Sequence, residues 1–483
     1  MKSKIIIKVL SLSYLILILG CTEILDVKPV STITGAGYWN SPEDAHTYLV
    51  GIYNRLRNLS NTTYYGEDRS DLYIEGDIGP VSAAWAHSLR ADNGPNWASM
   101  YNFIFHVNSL IKETANMDFS DQNQKNHILA QGYTLRALIY FRMAKIWGDV
   151  PIVLEPAENA NVDLKARAPV NQVFDQINED ISQALSLFPT NAFTDKNFIS
   201  KPATYALLAD VKIWTGKVLN GGASDFNEAL SAISQVESSG VSLLPNYADI
   251  FDSEKKKNAE IIFSIFFEKD EHGNQYGDRL TTWGISIDGA ENKDEIAYTD
   301  RNSARAVYAP SPELVNSFDP VNDVRRGRAI VAATQNNGQD TVLICFNKFR
   351  GTVYPDDRYF DDDIIEYRLA DMILLKAEAL AATNKITEAI TELNKTRNRA
   401  GIGDYSGPKD KISVEKEILE ERKRELFNEL KRWNDLVRFH NGGTINIYEV
   451  VPNLNGKNGY PLYFPVSQSV LDNNSLIEQT EGY

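Results

Sequence analysis

The chain has 483 residues, 43% of them hydrophobic, which is enough for a large core and for two or more structural units. It carries 65 acidic and 49 basic side chains, a formal net charge of −16, so nucleic acid and anionic lipid are poor partners. Its two cysteines are Cys21 and Cys345, and we expect no disulfide within the chain. The aromatic content of 10% with only six histidines favours stacking and hydrogen bonding over metal chemistry.

The first 20 residues predict a cleaved lipoprotein signal. Three lysines and an apolar run over 5–19 precede Gly20, and this run is short for a membrane-spanning helix, which needs about 20 residues. A retained membrane helix is therefore the weaker alternative. Leu19-Gly20-Cys21 resembles a bacterial lipobox, in which the cysteine is acylated before cleavage. We expect removal of residues 1–20, lipid on Cys21 and a tether over 21–37, because several acyl chains give stable anchoring.

Two long helices are predicted in the first third of the chain. One runs from about 42 to 58, because Ser41 is a favourable N-cap, Pro42 suits the first turn and apolar residues follow at helical spacing. The other covers 126–147 and carries apolar stripes on two faces. A helix that is apolar on two faces lies between neighbours in a core.

Two later segments resemble each other as helical hairpins. They span 207–236, with a turn predicted at Gly216-Lys217, and 373–393, with a turn at Asn384-Lys385. Small alanines at the crossings resemble the tetratricopeptide pattern, whose repeats bury their faces by stacking. Two unrelated hairpins are the alternative. We predict an all-α fold on a tetratricopeptide-like scaffold, with helical repeats over about 120–240 and 364–440.

The remaining segments differ in character. A final helix is predicted from about 414 to 439, and its run of alternating charge over 420–425 is typical of a solvated face. Residues 60–100 and 265–360 lack helical spacing and are rich in Gly, Tyr and Trp. Loops of this length are uncommon unless they are functional. These two regions are therefore the predicted binding regions of a single domain over 38–483.

Catalytic signatures are missing from the sequence. It contains no His-Glu-x-x-His, Gly-x-Ser-x-Gly, Walker or Gly-x-Gly-x-x-Gly motif. A glycosidase acid pair carries no local pattern, so a hydrolase stays open as an alternative. The triplet over 361–363 lacks the alternating ligands and glycine of a calcium loop, and we interpret it as a solvated turn. We expect a protein that is not an enzyme and that uses no cofactor or metal.

Several phrases resemble the SusD/RagB family of Bacteroidetes outer-membrane lipoproteins. They follow in chain order and span the mature sequence: the lipobox with Leu25-Asp26-Val27-Lys28-Pro29, Arg136-Ala137 to Trp147-Gly148-Asp149-Val150-Pro151, Arg368-Leu369-Ala370-Asp371 to Glu378-Ala379, Arg397-Asn398-Arg399-Ala400-Gly401, Arg432-Trp433-Asn434-Asp435, and Tyr463-Phe464-Pro465-Val466. The resemblance implies a helical scaffold with a loop-rich face, placed as a lid on a SusC-type TonB-dependent transporter barrel. It also implies capture of oligosaccharide or, in the RagB-like branch, of peptide.

These phrases are scaffold motifs, so the ligand-binding residues are predicted from side-chain chemistry. Sugar rings stack on Trp and Tyr, while acids, amides and arginine reach their hydroxyl groups. The candidates in the two loop regions are Tyr73, Asp77, Trp85, Arg90, Gln275, Tyr276 and Trp283. Trp97 begins a helical spacing and is predicted to be structural. We favour a glycan over a peptide as ligand. By resemblance to Gram-negative lipoproteins, Thr22 rather than an aspartate after Cys21 implies a lipid-anchored position on the outer membrane, and the nearby Glu23 and Asp26 imply exposure at the cell surface.

Overall fold

A computed structural model describes residues 35–157, 163–271, 273–274, 279–300 and 306–483. The signal segment, Cys21 and most of the predicted tether lie outside this range. The helices are α1 Gly35–Tyr38, α2 Pro42–Ser60, α3 Ala98–Asn116, α4 Gln122–Trp147, α5 Val170–Leu187, α6 Lys201–Val218, α7 Gly222–Glu237, α8 Pro312–Val315, α9 Arg326–Ala329, α10 Leu369–Ala382, α11 Ile386–Arg399, α12 Lys411–Leu426, α13 Arg432–Asn441, α14 Ile447–Val450 and α15 Gln468–Asn473.

The strands are short and form two-stranded ladders. They are β1 Tyr73–Glu75, β2 Ile261–Ile265, β3 Thr282–Trp283, β4 Tyr298–Thr299, β5 Tyr308–Pro310, β6 Ile330–Gln335, β7 Asp340–Phe346, β8 Thr352–Val353, β9 Arg358–Tyr359 and β10 Ile364–Arg368. The pairs β1–β5, β2–β10, β6–β7 and β8–β9 are antiparallel, and β3–β4 is parallel. The β1–β5 pair joins the first predicted loop region to the second, so both belong to one face.

The helices stack as pairs, which confirms the predicted all-α, tetratricopeptide-like scaffold. Helix α4 is buried along most of its length between α3 and α5, as its two apolar stripes predict. The hairpins α6–α7 and α10–α11 are the two predicted repeats, and α10 packs in turn against α7 and α12. Helix α2 also begins where predicted. The Asp44 carboxylate accepts a hydrogen bond from the backbone amide of Ser41 at 2.8 Å.

The turn predicted at Gly216-Lys217 is wrong, because both residues lie inside α6 and the chain turns only after Val218. Gly216 serves packing instead. A Cβ added there would lie 2.5 Å from the ring of Phe226 on α7, so glycine allows the two helices of the hairpin to approach closely. The second hairpin turns at Asn384-Lys385 as predicted, between α10 and α11.

The single helix predicted over 414–439 is broken into α12 and α13. Asn428 and Leu430 adopt left-handed backbone angles, with φ of 59° and 62°, and this ends α12. The Lys348 ammonium donates to the carbonyls of Glu425 and Phe427 at 3.0 and 2.7 Å and so satisfies the helix end. A partner that lies far away in sequence thus terminates the helix.

The charge run in α12 is buried, so its interpretation as a solvated face was also wrong. Residues 421–425 are all buried, and Glu421 and Glu425 belong to a larger group that we name the buried ion cluster. Its members are Glu260, Asp323, Arg325, Lys348, Arg368, Arg399, Glu421, Glu425 and Glu429. Burial alone would raise the pKa of Glu425, but Arg399, Arg368 and Arg325 hold it well below its ordinary value. Glu425 therefore stays ionised inside the protein.

The acidic triplet over 361–363 is buried and not the solvated turn that was predicted. Asp361 accepts a hydrogen bond from the Tyr354 hydroxyl at 2.9 Å, and Asp363 accepts one from the Asn197 amide at 2.8 Å. Burial raises the pKa of Asp362 to about 7. The triplet fastens the chain before β10 to the scaffold through hydrogen bonds.

Within the described residues, no helix combines the length and the apolar character needed to cross a membrane. Within the same residues, no group of three or more His, Cys, Asp or Glu side chains is arranged to hold a metal ion.

Candidate functional site

Short strands of the second loop region meet around an open cleft. Strand β3 pairs with β4 through Trp283 and Thr299, and the Thr299 hydroxyl donates to the Asp357 carboxylate at 2.6 Å. The Arg358 guanidinium donates to the carbonyls of Tyr298 and Arg350 at 3.2 and 2.7 Å. These bonds tie β3–β4 to β8–β9 and give the cleft fixed walls.

We name this space the loop cleft. Its volume is about 580 Å³, within the usual range of small-ligand sites. Its lining consists of two tyrosines, several carboxylates and one arginine, with two apolar residues: Asp294, Tyr298, Asp300, Val353, Tyr354, Pro355, Asp356, Asp357 and Arg358. Aromatic faces beside hydrogen-bond acceptors match a ligand that has both C–H faces and hydroxyl groups.

The tyrosines of β8–β9 are held in a fixed arrangement. The rings of Tyr354 and Tyr359 meet edge to face, with centroids 5.5 Å apart. The Lys269 ammonium lies 4.2 Å from the first centroid and 4.3 Å from the second. A hydrogen bond from the Tyr359 hydroxyl and the charge of Lys269 lower the pKa of Asp356, so this carboxylate is ionised at neutral pH. The rigid rings lose little entropy when a ligand binds them.

The structure brings two of the sequence-predicted residues together. Asp77 is exposed and accepts a hydrogen bond from the Ser286 hydroxyl, three residues after Trp283. Trp283 is partly exposed on β3, whose partner β4 contributes Tyr298 to the loop cleft. Asp77 and Trp283 therefore lie on the same face as the loop cleft.

Tyr73 does not present its ring to a ligand in this structure, which corrects its prediction as a stacking residue. The side chain is 4% exposed and stacks on Tyr308 with centroids 4.8 Å apart. Its hydroxyl donates to Asn428 at 2.8 Å. Trp85 is partly buried, and its indole N–H donates to the Tyr73 carbonyl at 3.0 Å. Both rings hold the first loop region against the core.

The other predicted residues either lie away from the loop cleft or fall outside the described residues. Arg90 is exposed and pairs with Asp92 at 3.0 Å, and its neighbour Ala91 accepts a hydrogen bond from the amide of Gln468 in the C-terminal segment. Gln275 and Tyr276 lie outside the described residues. Trp97 is buried and packs edge-on against Trp147 with centroids 5.5 Å apart, as its helical spacing predicts.

Sequence reasoning passed over several residues that line the loop cleft. Tyr298 and Tyr354 belong to the aromatic second region, but nothing in their local pattern separates them from buried Tyr308. One usable signal is the Tyr354-Pro355-Asp356-Asp357 turn, because proline and aspartate favour exposed turns. A tyrosine at the start of such a turn is a better surface candidate than one inside a strand.

The fold and the cleft together define a class: a helical scaffold that displays a loop-built recess for non-covalent ligand capture. Two family models match the chain, one described as the SusD family over residues 328–483 and one described as starch-binding associating with outer membrane over residues 23–213. The chain belongs to the SusD/RagB family.

Three relatives illustrate this membership. The SusD-like protein P38 of Formosa agariphila is 28% identical over 99% of both chains. The starch-binding protein SusD of Bacteroides thetaiotaomicron is 23% identical over 72% of this chain and 71% of its own. Among solved structures, B. fragilis NanU superposes with a TM-score of 0.81 at 27% identity, covering 95% of this chain and all of that one.

Proposed function

We propose that this protein captures oligosaccharide in the loop cleft at the outer-membrane surface and passes it to a SusC-type TonB-dependent transporter. The observation that carries the proposal is the composition of the cleft, in which Tyr298 and Tyr354 lie among several aspartate side chains. Ring faces accept the C–H faces of sugars, and carboxylates accept their hydroxyl groups. The family model described as starch-binding and the starch-binding relative support the same class of ligand.

Isothermal titration calorimetry tests the ligand. The probes are plant, host and microbial oligosaccharides and a peptide digest, titrated into residues 22–483 without lipid. Tyr354→Ala removes a ring from the cleft, and we expect at least tenfold weaker glycan binding, about 1.4 kcal/mol. The matched control is Tyr405→Ala, which removes a partly exposed tyrosine from the loop between α11 and α12. Equal losses in both variants, or none in either, would contradict the assignment of the cleft.

The same titration separates the alternatives. Binding of peptides but not of glycans would instead support a RagB-like peptide-binding function. Steady release of shorter sugars during a long incubation would instead support a hydrolase. A glycan that binds and is recovered unchanged supports capture.

The transporter partner requires a separate experiment. We expect affinity purification of the full-length lipoprotein from outer membranes to recover a TonB-dependent barrel. A negative control is the Cys21→Ser variant, which cannot be lipidated. Recovery of the protein without any barrel under mild detergent would contradict the transfer step while leaving glycan capture intact.

A further inference from the structure

A second pocket lies at the C-terminal segment and shares no lining residue with the loop cleft. It has a volume of about 790 Å³, and we name it the C-terminal pocket. Its walls come from the turn after α4, from residues 166–170 and from residues 459–463 and 476–482. This volume lies within the range of small-ligand pockets, which measure about 300–1,000 Å³.

One wall is fixed from behind by a buried arginine. Arg69 is fully buried, and its guanidinium donates to the carbonyls of Pro461 and Leu462, both at 2.6 Å. The same group lies 4.2 Å from the Trp433 ring centroid. The segment that carries Tyr463 is therefore held in place before any ligand arrives, which lowers the entropy lost on binding.

The opposite wall is fixed by a second arginine. Arg167 donates to the carbonyls of Trp147 and Asp149 at 2.8 Å and to that of Glu478 at 3.0 Å. These three bonds join the turn after α4 to the C-terminal segment. Arg167 therefore fixes the position of both walls through its bonds to backbone carbonyls.

The lining chemistry selects the ligand class. Tyr463 supplies a partly exposed ring that lies against Gly148, where a Cβ would approach the ring to 3.3 Å. Asp149 and the exposed Glu478 and Glu481 line the same space and supply acceptors for hydroxyl groups. The surplus of carboxylates disfavours sulfated or uronic ligands.

The Thr480 hydroxyl adds an independent observation. Thr480 lines the pocket, is 6% exposed, and its oxygen is buried without a hydrogen-bond partner. A buried hydroxyl without a partner costs about 1–3 kcal/mol. A ligand hydroxyl that reaches this group on a small side-chain rotation would satisfy it.

We propose that the C-terminal pocket is a second binding site that takes an uncharged saccharide. The site is independent of the loop cleft, so it would let one molecule hold two parts of a long glycan or two separate chains. Two linked sites on one glycan raise the overall affinity without any new contact, through the effective concentration of the second site.

The test uses the full-length lipoprotein in detergent and calorimetry with maltohexaose, laminarihexaose and cellohexaose. Ala166 is exposed and lines the pocket, so Ala166→Trp fills it without removing a native contact. The matched control is Ala223→Trp at an exposed alanine on α7. Both are built in a Trp283→Ala, Tyr354→Ala background, which separates this site from the loop cleft.

We expect one of the three sugars to bind the background variant, with at least tenfold weaker binding after Ala166→Trp and unchanged binding after Ala223→Trp. Thr480→Val, which keeps the shape and removes the hydroxyl, should weaken binding at least threefold without lowering the unfolding midpoint. Equal binding by the two tryptophan variants would overturn the proposal. No binding of any neutral sugar by the background variant, or binding of only sulfated sugars or lysine-rich peptides, would overturn it as well.

Discussion

Replacing Arg368 by methionine should strongly destabilise the protein. Its buried guanidinium donates to Glu429, Glu260 and Glu425 at 2.6–2.8 Å, and the Glu425 carbonyl accepts a further bond at 2.8 Å. Burial alone would lower the pKa of Arg368, but the surrounding carboxylates raise it well above its ordinary value. Methionine fills a similar volume, but it removes one positively charged partner from each of these three buried carboxylates.

The magnitude follows from how many partners remain. Glu425 keeps Arg399 and Arg325, and Glu429 keeps Lys348. Glu260 keeps Arg399, so none of the three carboxylates is left wholly unpaired. Breaking a buried ion pair from one side costs about 3–5 kcal/mol, and we expect a loss of this size. Lysine cannot reproduce the bidentate contacts, so Arg368→Lys should lose a substantial part of the same free energy.

Urea unfolding followed by tryptophan fluorescence measures the free energy of unfolding. The matched control is Arg90→Met, which breaks an ion pair with Asp92 whose side chains are both 66% exposed, and we expect no measurable change. Equal free energies of unfolding for Arg368→Met and Arg90→Met would show that the buried ion cluster does not hold the fold together.

Three further predictions follow from other parts of the chain. Gly148 has a φ of 73° and packs against the ring of Tyr463, so Gly148→Ala should lower the free energy of unfolding by about 1–3 kcal/mol. Urea titration measures this loss, and an unchanged unfolding midpoint would contradict the prediction. Cys21→Ser should abolish incorporation of radiolabelled palmitate and move the protein from the membrane to the soluble fraction; continued labelling would place the lipid elsewhere. Burial alone would raise the pKa of Glu378, but Arg438 lowers it to about 2, below the ordinary 4.5. This pair therefore stabilises the fold above about pH 4.5 by roughly 3 kcal/mol, and the contribution is lost as the pH falls toward 2. Glu378→Gln should flatten that acid dependence in unfolding measured from pH 2 to 7, and an unchanged slope would count against the pair.

Helical spacing predicted the scaffold well because each stripe of apolar residues reports a face that a neighbour covers. It failed for α12, where acids and arginines occupy buried positions. Their partners Arg325 and Arg368 lie more than 50 residues away in sequence, so no local pattern reveals the pairing. A charge run therefore looks solvated until the fold places counter-charges around it.

The candidate site was harder to predict, because exposure of a loop aromatic depends on distant contacts. Tyr73 lies between Leu72 and Ile74, and Tyr354 lies between Val353 and Pro355, so the immediate neighbours of both are apolar. Tyr73 is buried because its hydroxyl donates to Asn428 and its ring stacks on Tyr308. Tyr354 instead precedes a Pro-Asp-Asp turn and lines the loop cleft. Residue chemistry selected the two loop regions as candidates, and only tertiary contacts separate surface rings from packing rings within them.

The buried ion cluster also sets which parts of the molecule can be exchanged. Arg325 and Lys348 come from the loop-rich region, while Glu425 and Glu429 come from the end of α12 and the turn after it, so loops and scaffold share one set of charges. A transplant of the whole loop-rich region from a relative would have to carry a matching set of counter-charges. The 353–357 turn of the loop cleft lies outside this set, so ligand preference can be redesigned there while the frame is left untouched.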